Sequence, residues 1–109
     1  MTNIDADRAA LADMWLARAA SERRVGDAFV VVAGALERLG ANRELVDLAK
    51  RAVDDEMRHA ELSRTMAVRY AGADRPHPNL LPLEIPRHRG ASDALRAVLH
   101  VVGHCCFNE

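Results

Sequence analysis

Cysteine, lysine and aromatic side chains are scarce in this chain of 109 residues, and each scarcity closes a route. The two cysteines, Cys105 and Cys106, are adjacent, and sequence neighbours rarely reach disulfide geometry, so no covalent framework supports the fold. Packing or a metal has to do that instead. Half of the residues are hydrophobic but only 4% are aromatic, and the length allows one compact domain at most. No charge of one sign dominates: the formal net charge is -1, which leaves no basic field to hold nucleic acid or an anionic membrane. The opening MTNIDADRAALADMW is acidic where a secretory signal needs a positive segment, and no apolar run approaches the ~20 residues of a membrane span. The expectation is a cytoplasmic chain.

What is present is helical. Apolar residues recur at helical spacing in three segments, and no alternating stretch is long enough for a strand, so the fold class expected is all-α. A first helix is expected over about 6–39, opened by the carboxylates near Asp5 to Asp7 and closed by Gly40 in a left-handed cap. A second is expected over 43–71, with Asn42 as N-cap and Gly72 behind it, so the two form an antiparallel hairpin. Residues 72–91 contain all four prolines (Pro76, Pro78, Pro82, Pro86), which excludes helix there. A third helix is expected over 92–109, with Ser92 as N-cap. Extended at about 3.3 Å per residue, the connection reaches some 60 Å, whereas the second helix is only about 40 Å long. It can therefore return to the other end of the fold and leave the third helix parallel to the second, as in bundles with one long crossover.

Charged residues on apolar faces are the informative feature. On the first helix Glu22 falls at the centre of the stripe Leu11, Met14, Trp15, Val25, Phe29, Val32, Ala33 and Leu36, with Arg18 one turn earlier. On the second, Glu56 and His59 straddle the midline of Leu45, Leu48, Ala49, Ala52, Leu62, Met66, Ala67 and Tyr70, and Asp55 lies at its edge. On the third, Glu109 lies within Leu95, Val98, Leu99, Val102, Cys105 and Cys106. Counted from the hairpin turn at 1.5 Å per residue, Glu22, Glu56 and His59 all sit about 20 to 27 Å away, and a third helix parallel to the second brings Glu109 to the same level. Burying bare carboxylates costs several kcal/mol, so such a layer calls for a shared cation. Carboxylates plus one imidazole suit iron or manganese, or zinc. A metal-free hydrogen-bonded network with Arg18 is the plainer alternative. His100 and His104 are expected as a solvated pair on the outer face, Cys105 and Cys106 as core, and His77, His88 and Arg58 in solvent.

The run Asp55-Glu56-Met57-Arg58-His59 resembles the Glu-x-x-His signature of ferritin-like, carboxylate-bridged di-iron proteins, and the resemblance extends over nearly the whole chain. It implies a ferritin-like helical bundle in which Glu22 and Glu109 are terminal or bridging carboxylates, Glu56 bridges two metals and His59 is a terminal nitrogen ligand. Asp55 would then hydrogen-bond the histidine of a partner motif. The family pattern has a fourth helix with a second Glu-x-x-His, which has no counterpart in these 109 residues. The resemblance therefore implies a truncated form, or a homodimer in which two chains complete the site, as in encapsulated ferritins. The implied activity is iron-dependent chemistry on O2 or peroxide, of ferroxidase or oxygenase type. A non-catalytic bundle or oligomerisation module is the alternative from another class.

Overall fold

The computed structural model describes residues 3–106, for His104 and Cys106 the backbone alone. It contains α1 (Asn3–Arg38), α2 (Arg43–Ala71) and α3 (Asp93–His100), and α3 continues into a wider π-helical winding over Val101–Cys106. No strand occurs among the described residues. Helix α1 includes Asn3, two residues ahead of the acidic start expected from the sequence. Its other end is a Schellman cap: Gly40 takes φ +70, Gly40 N–H donates to Glu37 O and Ala41 N–H to Leu36 O. Only glycine adopts that left-handed conformation without steric cost. Asn42 then opens α2 by accepting from Glu44 N–H at 2.8 Å, and Gly72, φ +71, closes it. Ser92 Oγ accepts from Leu95 N–H at the start of α3.

The α1–α2 hairpin packs along a seam with a seven-residue period. Ala12, Ala19, Gly26 and Ala33 on α1 and Val46, Ala60 and Ala67 on α2 are buried at this spacing. Ala49 and Ser63 bury the interleaved positions, and Glu56 falls midway between them. Such alternation of three and four residues is what antiparallel helices need to keep one face in contact. Because the seam is made of small side chains, the two backbones approach closely, and no large side chain among the described residues is fully buried.

The stripes drawn from sequence are therefore offset from the faces that bury. Leu45, Leu48 and Leu62 of α2 remain exposed, as do Leu95, Val98 and Leu99 of α3 and Val102 of the π-helical winding. Leucines dominate the apolar average and pull the apparent stripe toward themselves, while alanine and glycine make the contact.

Residues 73–92 form the crossover. At its start Arg64 Nη1 donates to Arg75 O at 3.0 Å, and His77 Nε2 lies 2.9 Å from Glu61 Oε2. Leu81–Glu84 then pass beside Ser21, Arg24 and Val25, and Ile85 and Pro86 lie beside Val31 and Ala35. The chain thus returns toward the hairpin turn. Arg96 and Ala97 meet Ala35 and Arg38, while His100 meets Ala28, so α3 runs antiparallel to α1 and parallel to α2. Its helical contacts are with α1. Val101 and Cys105 pack on the core patch of Val32, Ala33 and Ala49.

Glu61 anchors this crossover and defines a pH dependence. Hydrogen bonds from Arg64 and then His77 hold its carboxyl at a pKa of about 2, below the ordinary 4.5. A carboxylate depressed in the fold contributes stability that is complete above about pH 4.5 and lost as pH falls through about 2. Glu61 is half exposed, so solvent screening keeps the contribution small. Glu61→Gln is expected to flatten the melting temperature against pH in this window and to speed amide exchange at Asp74 to His77.

Candidate metal centre

Glu22 lies midway along α1 and Glu56 and His59 midway along α2. Because the helices are antiparallel and begin their pairing at the Gly40–Asn42 turn, these residues come to the same level. One ligand atom from each lies within 4.8 Å of the others. Donors bound at about 2.0 to 2.2 Å around one cation stand about 3 to 4 Å apart, so side-chain rotations that draw these atoms together by about 1 to 2 Å close the set. The two carboxylates are in the seam, about 15% exposed, and His59 stands at its mouth, 56% exposed.

The polar environment is uneven. Glu22 Oε1 is 2.9 Å from Arg18 Nε and accepts from Ser63 Oγ at 3.4 Å. Glu22 Oε2 is buried and has no hydrogen-bond partner among the described residues. A buried acceptor left in that state costs about 1 to 3 kcal/mol. His59 Nδ1 is 3.8 Å from Glu56 Oε2, beyond hydrogen-bond reach, so the pair is adjacent without being locked. Around them Ala19, Val25 and Ala60 are nearly inaccessible to solvent. Two acidic oxygens and one imidazole nitrogen, half enclosed by apolar walls, are a donor set for a hard or borderline divalent cation. The fit rests on the orphaned oxygen and the short separations.

Comparison with models of known protein families, with curated proteins and with solved structures finds no match. The arrangement has to be read from its own chemistry.

The remaining candidates fall in other places. Glu109 lies outside the described residues, as do the side chains of His104 and Cys106. Asp55 is exposed and ion-paired to Arg58 one turn on, so among the described residues its partner is an arginine. His100 departs from expectation: it is 5% exposed, with Nε2 3.0 Å from Ala28 O. Helix α3 is rotated so that Ala97, His100 and Val101 face the core, and a backbone carbonyl there partners one ring nitrogen of the imidazole, Nε2. His77 is likewise held by Glu61 and is three-quarters buried. Cys105 is half-buried in the core patch.

Two residues that matter at the site carried no obvious signal. Ser63, buried beside Glu22, is seven residues after Glu56 on the same seam. Gly26 is one turn after Glu22, where a Cβ would meet the Met57 methyl at 2.6 Å and Glu56 Cβ at 3.5 Å. Both could have been found by projecting the seam from small residues in place of leucines.

Proposed function

We propose that this chain is a ferritin-like metal-binding redox protein that holds non-haem iron and serves chemistry on O2 or peroxide. The observation that carries the reading is the convergence of Glu22, Glu56 and His59 within 4.8 Å, with one buried carboxylate oxygen left unpartnered. The connectivity supports it: a helix hairpin, a crossover running back along α1, and a third helix parallel to α2. Glu22 and Glu56 would balance the charge of the ion, His59 would hold it from the solvent side, and Ala19, Val25 and Ala60 would keep water from the inner side. Held by Glu22, Glu56 and His59, Fe(II) would supply one-electron reducing equivalents for O2 or peroxide. Manganese or zinc would suit the same donors.

The three donors hold one cation. The exposed leucines of α2, Leu45, Leu48 and Leu62, share one helix face with Asp55 and His59, and large apolar side chains left exposed along one face favour burial against another chain. A homodimer paired there would bring a second set of carboxylate and imidazole donors and allow two metals. The same exposed leucines also favour the alternative of a non-catalytic oligomerisation module.

Metal uptake separates the two readings. Anaerobic titration of the full chain with Fe(II), followed by admission of O2, is expected to show near-stoichiometric binding and then ferric absorption, with the mass in solution measured on the same sample. Absence of binding at micromolar protein would eliminate the redox reading and leave the module.

A further inference from the structure

We infer that Arg18 is the resident counter-ion of this cluster: its guanidinium neutralises Glu22 in the metal-free protein, gives way to a divalent cation, and so sets the charge an ion must carry to enter. The inference rests on the metal-binding reading of Glu22, Glu56 and His59.

Arg18 sits one turn before Glu22 on α1 and reaches Oε1 at 2.9 Å. Among the described residues it is the one cation paired with Glu22, and Ser63 adds only a hydroxyl dipole at 3.4 Å. The two ends of the pair differ in setting. Glu22 is 14% exposed, between alanines and a glycine, and its position is fixed by the seam. The Arg18 side chain is 64% exposed, so its long stem can swing into solvent without opening the core. The guanidinium also occupies one carboxylate oxygen and leaves the other, Oε2, buried with no hydrogen bond. Arg18 therefore compensates the charge but not the full acceptor capacity of Glu22, and an ion that contacts both demands does better.

Charge decides which ion that is. Glu22 and Arg18 form a neutral pair, and Glu56 sets a second carboxylate within 4.8 Å of the same point. A monovalent ion that displaces the guanidinium merely exchanges one positive charge for another and has to be dehydrated besides. A divalent ion brings a second positive charge, which the Glu56 carboxylate is placed to meet. While Arg18 stays near, it also repels any entering cation, a few ångströms away at the edge of solvent, where the interaction is worth about a factor of ten and weakens with salt. Arg18 is a specificity-determining residue of the site, and it holds the site together in the metal-free protein.

The two roles predict opposite effects of one substitution. Mn(II) binding to the full chain, measured by calorimetry at low ionic strength, is expected to tighten about tenfold in Arg18→Gln, and Na(I) competition against Mn(II) is expected to increase. The metal-free melting temperature of the same variant is expected to fall by about 2 to 4 °C, the loss of one helical ion pair. Arg18→Lys, which keeps the charge, is expected to stay near wild type in both. In a Glu22→Gln background, Arg18→Gln is expected to leave the metal-free melting temperature unchanged, because its partner is gone. Unchanged or weaker Mn(II) binding in Arg18→Gln, with normal uptake by wild type, overturns the counter-ion role and leaves the metal site standing. Wild-type protein that takes up no Mn(II) overturns both.

Discussion

Glu22→Ala is expected to abolish stabilisation by metal without weakening the metal-free protein. At free metal a hundredfold above the dissociation constant, the wild-type chain gains about 2.7 kcal/mol, a rise in melting temperature of roughly 10 to 20 °C. The alanine variant is expected to gain none, because only Glu56 and His59 remain and they lie on one helix, unable to clamp an ion across the seam. In the absence of metal the sign reverses. Removing Glu22 removes a buried oxygen with no hydrogen bond, worth about 1 to 3 kcal/mol, at the expense of one half-exposed ion pair with Arg18 and a small void. The metal-free variant should therefore melt at or above the wild-type temperature. Differential scanning calorimetry with and without Mn(II) reads both numbers. A large drop for the metal-free variant would mean that Glu22 is there to stabilise the fold and would remove the main reason for a cation.

Gly26→Val is expected to separate α1 from α2 at the level of the site and to lose both stability and metal affinity. A Cβ at this position meets the Met57 methyl at 2.6 Å and Glu56 Cβ at 3.5 Å. The methionine methyl is the free end of a flexible side chain and can turn away, so Gly26→Ala should be tolerated and even gain up to about 1 kcal/mol of helix propensity. Valine adds two branches that have no such exit and push directly on the residue carrying the Glu56 carboxylate. Overpacking of this kind costs about 1 to 3 kcal/mol. The separation matters more for binding, since a cation with bonds of about 2 Å has no means of following donors that move apart by an ångström. Mn(II) affinity is therefore expected to fall by tenfold or more in the valine variant and to stay near wild type in the alanine variant. Equal affinity in all three would show that the close approach at Gly26 has no part in shaping the site.

The stretch that places Glu22 opposite Glu56 and His59 was legible in the sequence because helix rise is constant and the turn is short. Gly40 and Asn42 define both ends of the turn, and counting residues from it gives the height of every side chain on either arm. The proline run likewise announced a connection without helix, and its length announced a return along the fold. Azimuth was harder to read. Leu45, Leu48 and Leu62 looked like the contact face of α2, yet Val46, Ala49, Ala60, Ser63 and Ala67 are the residues that bury. Small residues carry little hydrophobic weight individually, but two helices gain more from the closer backbone approach that they permit. The same rotation on α3 turned His100 from an expected solvent-facing residue into a buried one held by Ala28 O.

Helical class, caps, crossover and the common level of Glu22, Glu56 and His59 follow from the chain read residue by residue, because propensity, capping and rise per residue are local properties. The pairs Arg18–Glu22 and Asp55–Arg58, each one turn apart on one helix, are equally local; packing between the helices settled which face of each turned inward and that Glu22 Oε2 is buried without a hydrogen-bond partner among the described residues. Those outcomes depend on how closely two backbones pack and on which donors then fall within about 3 Å, quantities that no single segment contains.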